Sequence, residues 1–180
     1  MILYAADAMG SLADEMIVSV ANPEMEGRIR SFLPDVVFAP DERPGSGPIE
    51  GFRQGFHAAR GEILLVAPCD APLLQPPLYR LLLDVLGDYD AVVPKFDVLD
   101  PVRAVYRRRP VLEVLEVVSG VPSPSALVDR LRAVFVTADQ IRTVDPNLAS
   151  FLDVNTPEDL DLALEKMQTP NERRGWLVPL

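Results

Sequence analysis

The feature that most constrains the fold is an alternation between short apolar runs rich in β-branched residues and stretches with helical spacing. This pattern is typical of βαβ units and predicts an α/β, Rossmann-like fold, in which helices cover both faces of a mostly parallel sheet. The runs that predict strands lie at 16–20, 36–39, 63–67, 91–93, 103–106 and 133–136. The run at 63–67 contains no polar residue, so we expect this strand to be buried on both faces.

Two helices are predicted between these strands. Pro48 suits the first turn of a helix that runs to about Arg60 and ends at Gly61. Its inward face is predicted from apolar residues at helical spacing, namely Ile49, Phe52, Phe56 and Ala59. Pro76 opens the other helix, which extends through Leu86.

A further helix is predicted near the C-terminus. Thr156 suits its N-cap, Pro157 its first turn, and acidic residues follow at the positive helix end. We expect three apolar residues of this helix to face inward: Leu160, Leu164 and Met167. Residues 169–180 lose the apolar periodicity, so the sequence predicts one domain at 1–168 and a C-terminal tail at 169–180.

Length and charge exclude several classes of protein. A chain of 180 residues suits one domain that buries its own core. The net charge of -10 argues against a broad surface for nucleic acid or for an anionic membrane, since phosphates are bound through clustered Lys and Arg. No apolar run reaches the roughly 20 residues of a membrane helix. Met1 begins no secretory signal, and Cys69 is a single cysteine, so we expect a cytoplasmic protein.

Acidic residues follow the predicted strands, where ligands of open parallel sheets collect. Asp41 follows the second strand, Asp70 follows the third, and Asp153 stands with Asn155 before the last helix. A carboxylate at the position of Asp70 can hold Mg²⁺, which prefers oxygen ligands. An equally simple interpretation is that Asp70 caps the helix that begins near Pro76 or brackets a turn.

Two other segments have a functional and a structural interpretation. The loop at 41–48 ends at a helix start whose free amides favour an anion, yet Gly45 and Gly47 are equally explained by a turn. The basic run Arg107, Arg108 and Arg109 fits a solvated strand end, or alternatively a cluster that holds phosphate.

Four segments together resemble the molybdenum cofactor guanylyltransferases. They are Gly-Pro-Ile-Glu-Gly at 47–51, Pro-Cys-Asp-Ala-Pro at 68–72, the run that Pro101 leads to 107, and 151–160 with its Asn-Thr-Pro-Glu-Asp-Leu. Their order and spacing match a family pattern of a Gly-Pro turn into a helix, a Pro-Cys-Asp-x-Pro metal loop and a closing Asn-x-Asn-Thr-Pro segment. The resemblance extends over nearly the whole chain to about residue 166.

The resemblance implies roles for individual residues. Asp70 is similar to the family's Mg²⁺ ligand, and Asp41 to the acidic residue that contacts the guanine nucleotide. Ser19 or Asn22 lies where the family has a nucleotide-contacting asparagine.

The resemblance also implies substrate contacts. Asn155 matches the second asparagine of the closing motif, whereas Asp153 replaces the first. Gly47 in the Gly-Pro turn and Arg103 after Pro101 are further candidates, the latter for a pterin phosphate.

The chain departs from the family at its N-terminus. Family members begin with a strand and a glycine-rich loop that wraps the triphosphate and supplies a lysine, whereas this sequence begins inside what resembles the following helix. That strand is central in the family's sheet, so its absence is expected to leave neighbouring strand edges unpaired. We therefore expect an N-terminally truncated form of the fold and a true reading frame that starts upstream.

The activity implied is transfer of GMP from GTP to the terminal phosphate of molybdopterin, with Mg²⁺ as cofactor. Two alternatives stay open. One is a related nucleotidyltransferase that acts on another phosphorylated acceptor, because the fold does not fix the acceptor. The other is a non-catalytic paralogue that binds a nucleotide or a partner.

Overall fold

The computed structural model describes residues 1–43, 45–117 and 120–168, so the predicted tail at 169–180 lies outside the described residues. A strand lies at each of the six predicted runs, and helices separate most of them. In chain order the elements are α1 (Ile2–Gly10), β1 (Ile17–Val20), α2 (Pro23–Arg30), β2 (Val37–Pro40), α3 (Pro48–Ala58), β3 (Ile63–Val66), α4 (Pro76–Leu86), β4 (Ala91–Lys95), β5 (Ala104–Arg107), α5 (Arg108–Val117), α6 (Pro124–Val128), β6 (Ala133–Thr137), α7 (Ala138–Ile141) and α8 (Pro157–Gln168). A 3₁₀ turn, Ala149–Phe151, precedes α8.

The strands form two separate sheets. β1 pairs in parallel with β2, and the other four strands lie in the order β3, β5, β4, β6. Within the larger sheet β5 runs antiparallel to both β3 and β4, whereas β4 and β6 are parallel. Three of its four strands therefore share one direction, which confirms the α/β fold with a mostly parallel sheet.

Helices cover both faces of the larger sheet, as predicted. On one face α1 and α4 pack against strand residues that include Leu65, Val92 and Val105. On the opposite face α3, α5 and α6 pack against the alternate positions, among them Val93 and Tyr106. This alternation follows from the two-residue period of a strand.

The third strand departs from the expected burial. Ile63 is 42% exposed and the other residues of β3 are only partly buried, so the prediction that this strand is buried on both faces was wrong. Among the described residues β3 pairs only with β5, and β1 pairs only with β2. Each keeps one strand edge without a partner in the described part of the chain, and this open edge leaves the β3 side chains accessible although helices lie on both faces.

One carboxylate joins the starts of the two sheets. Glu15, just before β1, accepts hydrogen bonds from the backbone N–H groups of Arg60 at 2.7 Å and Gly61 at 2.8 Å, just before β3. Its other oxygen accepts a bond from Nε of Arg60 at 3.1 Å. The two backbone bonds contribute most to lowering the pKa of Glu15, because they stabilise its charged form. β1 and β3 therefore begin side by side.

The helix ends and faces agree with the sequence predictions at some residues and differ at others. Thr156 caps α8 as predicted, because its Oγ1 accepts a hydrogen bond from the backbone N–H of Asp159. The prediction of the inward face of α8 was wrong, since Leu160 and Leu164 are exposed and Ala163 is the buried residue. Gly61 does not end α3, because the C-cap is Ala59 in an extended conformation. No helix in the described ranges is both long and apolar enough to cross a membrane.

We predict that Glu15→Gln destabilises the fold by about 1 to 3 kcal/mol at neutral pH, because hydrogen bonds to a charged acceptor are replaced by weaker ones. Urea unfolding of both proteins measures this difference. Because the pKa of Glu15 is lowered in the folded state, its contribution is complete above the ordinary value of 4.5 and is lost as pH falls through the lowered folded value. A stability difference that stays constant down to strong acid would contradict the role of this carboxylate.

Candidate metal and nucleotide site

The predicted acidic residues lie at the carboxyl edge of the strands. Asp41 directly follows β2, and Asp70 follows β3 after a short turn. Arg103 precedes β5, which runs in the opposite direction, so it lies at the same edge of the larger sheet as Asp70. This edge is where α/β proteins bind ligands.

The carboxylate of Asp70 is half-buried and is not engaged by any of the described residues. Within the described ranges no hydrogen bond or ion pair engages its side-chain oxygens. It does not cap α4, whose N-cap is Gln75, and the backbone N–H of Gln75 instead donates to Oγ of Ser150 at 3.0 Å. Both lone pairs of each carboxylate oxygen are therefore available to a ligand.

The backbone of a second aspartate, Asp153, lies close to that of Asp70. The backbone N–H of Val154 donates to the carbonyl oxygen of Asp70 at 2.9 Å. With standard bond lengths this bond limits the Cα separation of Asp70 and Asp153 to roughly 8 Å, a span that two aspartate side chains can bridge through one cation. The Asp153 side chain is 39% exposed.

The donor set fits magnesium. No cluster of three or more His, Cys, Asp or Glu side chains suited to a metal occurs among the residues that the structure describes. Mg²⁺ does not need such a cage, since it is commonly bound by one or two carboxylates together with waters and substrate phosphates. Asp70 and Asp153 are the two carboxylates that would hold such an ion.

Cys69 is not equipped to act as a nucleophile. Desolvation and the neighbouring Asp70 charge raise the pKa of its thiol, so the thiolate is scarce at neutral pH. Ala5 and Ala8 of α1 belong to the same apolar cluster as Ala71, so α1 packs beside the segment that follows Asp70.

Ser19 and Asp41 come together across the smaller sheet. Oγ of Ser19 donates to Oδ1 of Asp41 at 3.5 Å, where β1 and β2 end. Desolvation raises the pKa of Asp41, and the nearby Glu50 charge raises it further. A close approach of α3 supports this pair, because a Cβ on Gly51 would lie 2.8 Å from Oγ of Ser19.

Sequence reasoning did not single out Glu50, which is only 2% exposed. It accepts a hydrogen bond from Nε2 of Gln54 at 2.9 Å and lies 3.7 Å from Nε of Arg53. It also lines a cavity of about 280 Å³ beside the loop that contains Arg43 and Ser46. Its place in the Gly-Pro turn motif was the available signal, but its burial depends on contacts that the motif does not encode.

Three other residues that were predicted to contact the nucleotide or the substrate lie in different local structures. Asn22 caps α2, with its Oδ1 accepting a bond from Met25 N–H at 2.9 Å. Gly47 precedes α3 with a φ of 71°, a conformation that glycine adopts readily. Asn155 is exposed, and its backbone N–H donates to Asp159. Their roles toward a substrate stay predictions.

Arg103 is 3% exposed, and protein acceptors engage its guanidinium on each branch. Nε donates to the carbonyl oxygen of Ser150 at 2.7 Å, Nη1 donates to Asp100 at 2.7 Å, and Nη2 pairs with Asp153. A contact between Arg103 and a substrate phosphate stays a prediction.

The basic run lies at the opposite edge of the sheet. Arg107 pairs with Ile63 at the start of β3, whereas Asp70 follows the other end of that strand. Arg108 donates to the carbonyl oxygen of Phe56 at 2.9 Å, and Arg109 forms an exposed ion pair with Glu113. The structure therefore does not bring this run to the candidate site.

The contact between α3 and β1 predicts different outcomes for two glycines of one helix. Gly55→Ala is expected to stabilise the protein by about 0.5 to 1 kcal/mol through helix propensity, because no atom lies within 4 Å of the added Cβ. Gly51→Ala should lose this gain, since Ser19 must rotate away from the added methyl group and from Asp41. Urea unfolding of both variants measures the difference. Equal stabilisation by the two substitutions would contradict the close approach.

Comparisons with known proteins identify the family of this chain. The family model of the MobA-like NTP transferase domain matches residues 1–141. A molybdenum cofactor guanylyltransferase from Desulfosudis oleivorans is 32% identical over 87% of this chain and 77% of its own length. A probable molybdenum cofactor guanylyltransferase from Methanosarcina acetivorans is 32% identical, covering 83% of this chain and 71% of the relative.

Solved structures show the same fold. Molybdopterin-guanine dinucleotide biosynthesis protein A from Archaeoglobus fulgidus aligns with a TM-score of 0.74 at 24% identity, over 91% of this chain and 83% of that one. A 2-C-methyl-D-erythritol 4-phosphate cytidylyltransferase from Thermus thermophilus aligns with a TM-score of 0.66 at 16% identity, over 94% and 90%. The family match and the identities of the relatives together lead to one conclusion: the chain belongs to the MobA-like NTP transferase domain family.

Proposed function

We propose that this protein is a Mg²⁺-dependent guanylyltransferase that transfers GMP from GTP to the terminal phosphate of molybdopterin. The observation that carries the proposal is the half-buried carboxylate of Asp70, which no described residue engages, with the backbone of Asp153 held near it at the carboxyl edge of the sheet. The names of the relatives support the nucleotide and the acceptor, since those at 32% identity are described as molybdenum cofactor guanylyltransferases.

In the proposed reaction an oxygen of the acceptor phosphate attacks the α-phosphorus of GTP. A new P–O bond forms, the bond to the bridging oxygen breaks, and pyrophosphate leaves with the electron pair. Bound Mg²⁺ supplies charge neutralisation at the phosphates. Asp70 and Asp153 would hold the ion, and no covalent bond to the protein forms. Positioning of the reactants and stabilisation of charge then account for catalysis.

Asp41 is the proposed acceptor for the guanine base. Guanine presents an amino group as a hydrogen-bond donor, and an ionised carboxylate is a strong acceptor for it. Ser19 holds Asp41 by its hydroxyl, and the Gly47 turn brings the start of α3 beside them. In this proposal the base would lie over the smaller sheet and the phosphates toward the Asp70 loop of the larger one.

The first test replaces Asp70 by Asn. We expect Asp70→Asn to lower both the affinity for Mn²⁺ and the rate of pyrophosphate release by at least about tenfold, because the variant loses the charged ligand of the ion. Paramagnetic resonance of free Mn²⁺ measures the binding, and release is followed with GTP and molybdopterin. Asp84→Asn, on the exposed face of α4, is the matched control and should match the wild type. Unchanged Mn²⁺ binding in Asp70→Asn would rule out the metal role, and GTP binding without pyrophosphate release in the wild type would favour a non-catalytic nucleotide-binding protein.

The second test uses pH. Because desolvation raises the pKa of Asp41, this carboxyl takes up a proton at a higher pH than the ordinary value of 3.8. GTP affinity should therefore fall as pH decreases through the raised pKa, since the protonated group no longer offers a charged acceptor. Asp41→Asn should bind GTP more weakly and without this pH dependence, measured by calorimetry. An identical pH profile in wild type and variant would exclude Asp41 as the titrating contact.

A further inference from the structure

The contacts of Arg103 connect the two carboxylates of the proposed metal site. Its guanidinium donates to Asp100, to the carbonyl oxygen of Ser150 and to Asp153, and lies 5.4 Å from the ring centroid of Phe151. These acceptors are 3 to 50 residues away along the chain. One buried side chain therefore fixes the turn before β5 against the segment at 150–153.

The same segment is attached to the Asp70 loop on its other side. Ser150 Oγ accepts from the backbone N–H of Gln75, and Val154 N–H donates to the carbonyl oxygen of Asp70. The carboxylate of Asp145 also fixes this segment, because it accepts from the N–H groups of Ala149 and Ser150 at 2.9 Å. The position of Asp153 relative to Asp70 is thus set by a short path of hydrogen bonds that ends at Arg103.

The choice of arginine follows from its shape. A guanidinium presents five N–H donors in a fixed plane and stays charged, so it can engage three acceptors at once in fixed directions. A lysine ammonium is a compact point charge and cannot reproduce that arrangement. The pair also explains why an aspartate is tolerated at 153, because the buried positive charge of Arg103 offsets the carboxylate's charge.

We propose that Arg103 is a positioning residue for the metal site, which acts by holding Asp153 beside Asp70 rather than by contacting substrate phosphate. Two observations carry this assignment. The guanidinium is buried with each of its three nitrogens donating to a protein acceptor, and Asp153 remains partly exposed with one oxygen paired to Arg103. The other oxygen of Asp153, Oδ2, accepts no hydrogen bond within the described ranges. This role rests on the metal site of the proposed function.

A double-mutant cycle on the full chain tests the assignment, with Mn²⁺ affinity as the readout. We expect Arg103→Lys to weaken Mn²⁺ binding by about tenfold, and Asp153→Asn to weaken it to a similar extent. In the Asp153→Asn background, Arg103→Lys should cause no further loss, because the residue through which it acts is already removed. Thermal unfolding confirms that each variant is folded before binding is measured.

A matched control uses a similar contact at the opposite edge. Arg132 donates to both carboxylate oxygens of Asp90 and to the carbonyl oxygen of Asp88, at the starts of β4 and β6. Arg132→Lys should leave Mn²⁺ affinity unchanged even if it lowers stability. If Arg103→Lys does not fold, the cycle is run with Arg103→Gln, which keeps hydrogen-bond donors without the charge, and the same pattern is expected.

The outcomes separate this inference from the proposed function. Loss of Mn²⁺ binding in Asp70→Asn together with equal effects of Arg103→Lys in both backgrounds would overturn the positioning role and leave the metal site in place. An unchanged affinity in Arg103→Lys would have the same meaning. Mn²⁺ binding that does not depend on Asp70 would overturn the metal site, and the role of Arg103 with it.

Discussion

The architecture depends on how two sheets without a shared strand are held together. A strand normally satisfies its backbone groups through neighbours on both sides, and within the described residues β1 and β3 each have such a neighbour on one side only. Helix α3 connects the two sheets by side-chain packing rather than by backbone hydrogen bonds. It contacts β1 and β2 of the smaller sheet, and its Phe52 and Phe56 rings pack edge-on against Tyr106 of the larger sheet. Together with the Glu15 carboxylate, this packing fixes the relative position of the sheets.

The geometry of the candidate site depends on the relative position of the two sheets, because its carboxylates come from different sheets. Asp41 follows a strand of the smaller sheet, and Asp70 follows a strand of the larger one. Their separation therefore depends on α3 and on Glu15, neither of which carries a proposed ligand to the metal. The apolar face of α3 packs on the larger sheet, while its glycines permit close contact with β1. One helix thus sets both the packing and the geometry of the nucleotide contacts.

The sequence predicted the positions of the strands and the sheet edge to which Asp41 and Asp70 come, because both follow from local patterns. Asp70 lies at that edge because it follows an apolar run after a short turn, and Thr156 caps α8 because capping is decided within four residues. The burial of β3 could not be predicted, since it depends on whether a neighbouring strand covers its edge. The prediction of the inward face of α8 was wrong for a related reason. A small residue, Ala163, is buried where the leucine spacing indicated larger ones.

The contacts of Arg103 have a consequence for the order in which the protein is made. Synthesis proceeds from the N-terminus, so Arg103 and Asp70 exist before residues 150–154 have been added, and until then Arg103 has only Asp100 as a charged partner. Closing the loop between the two ends of this long-range contact also costs conformational entropy before the ion pair can form. The two-carboxylate arrangement therefore cannot form until residues 150–154 have been added, and a chain cut short before residue 150 would lack the segment that the structure holds against the Asp70 backbone.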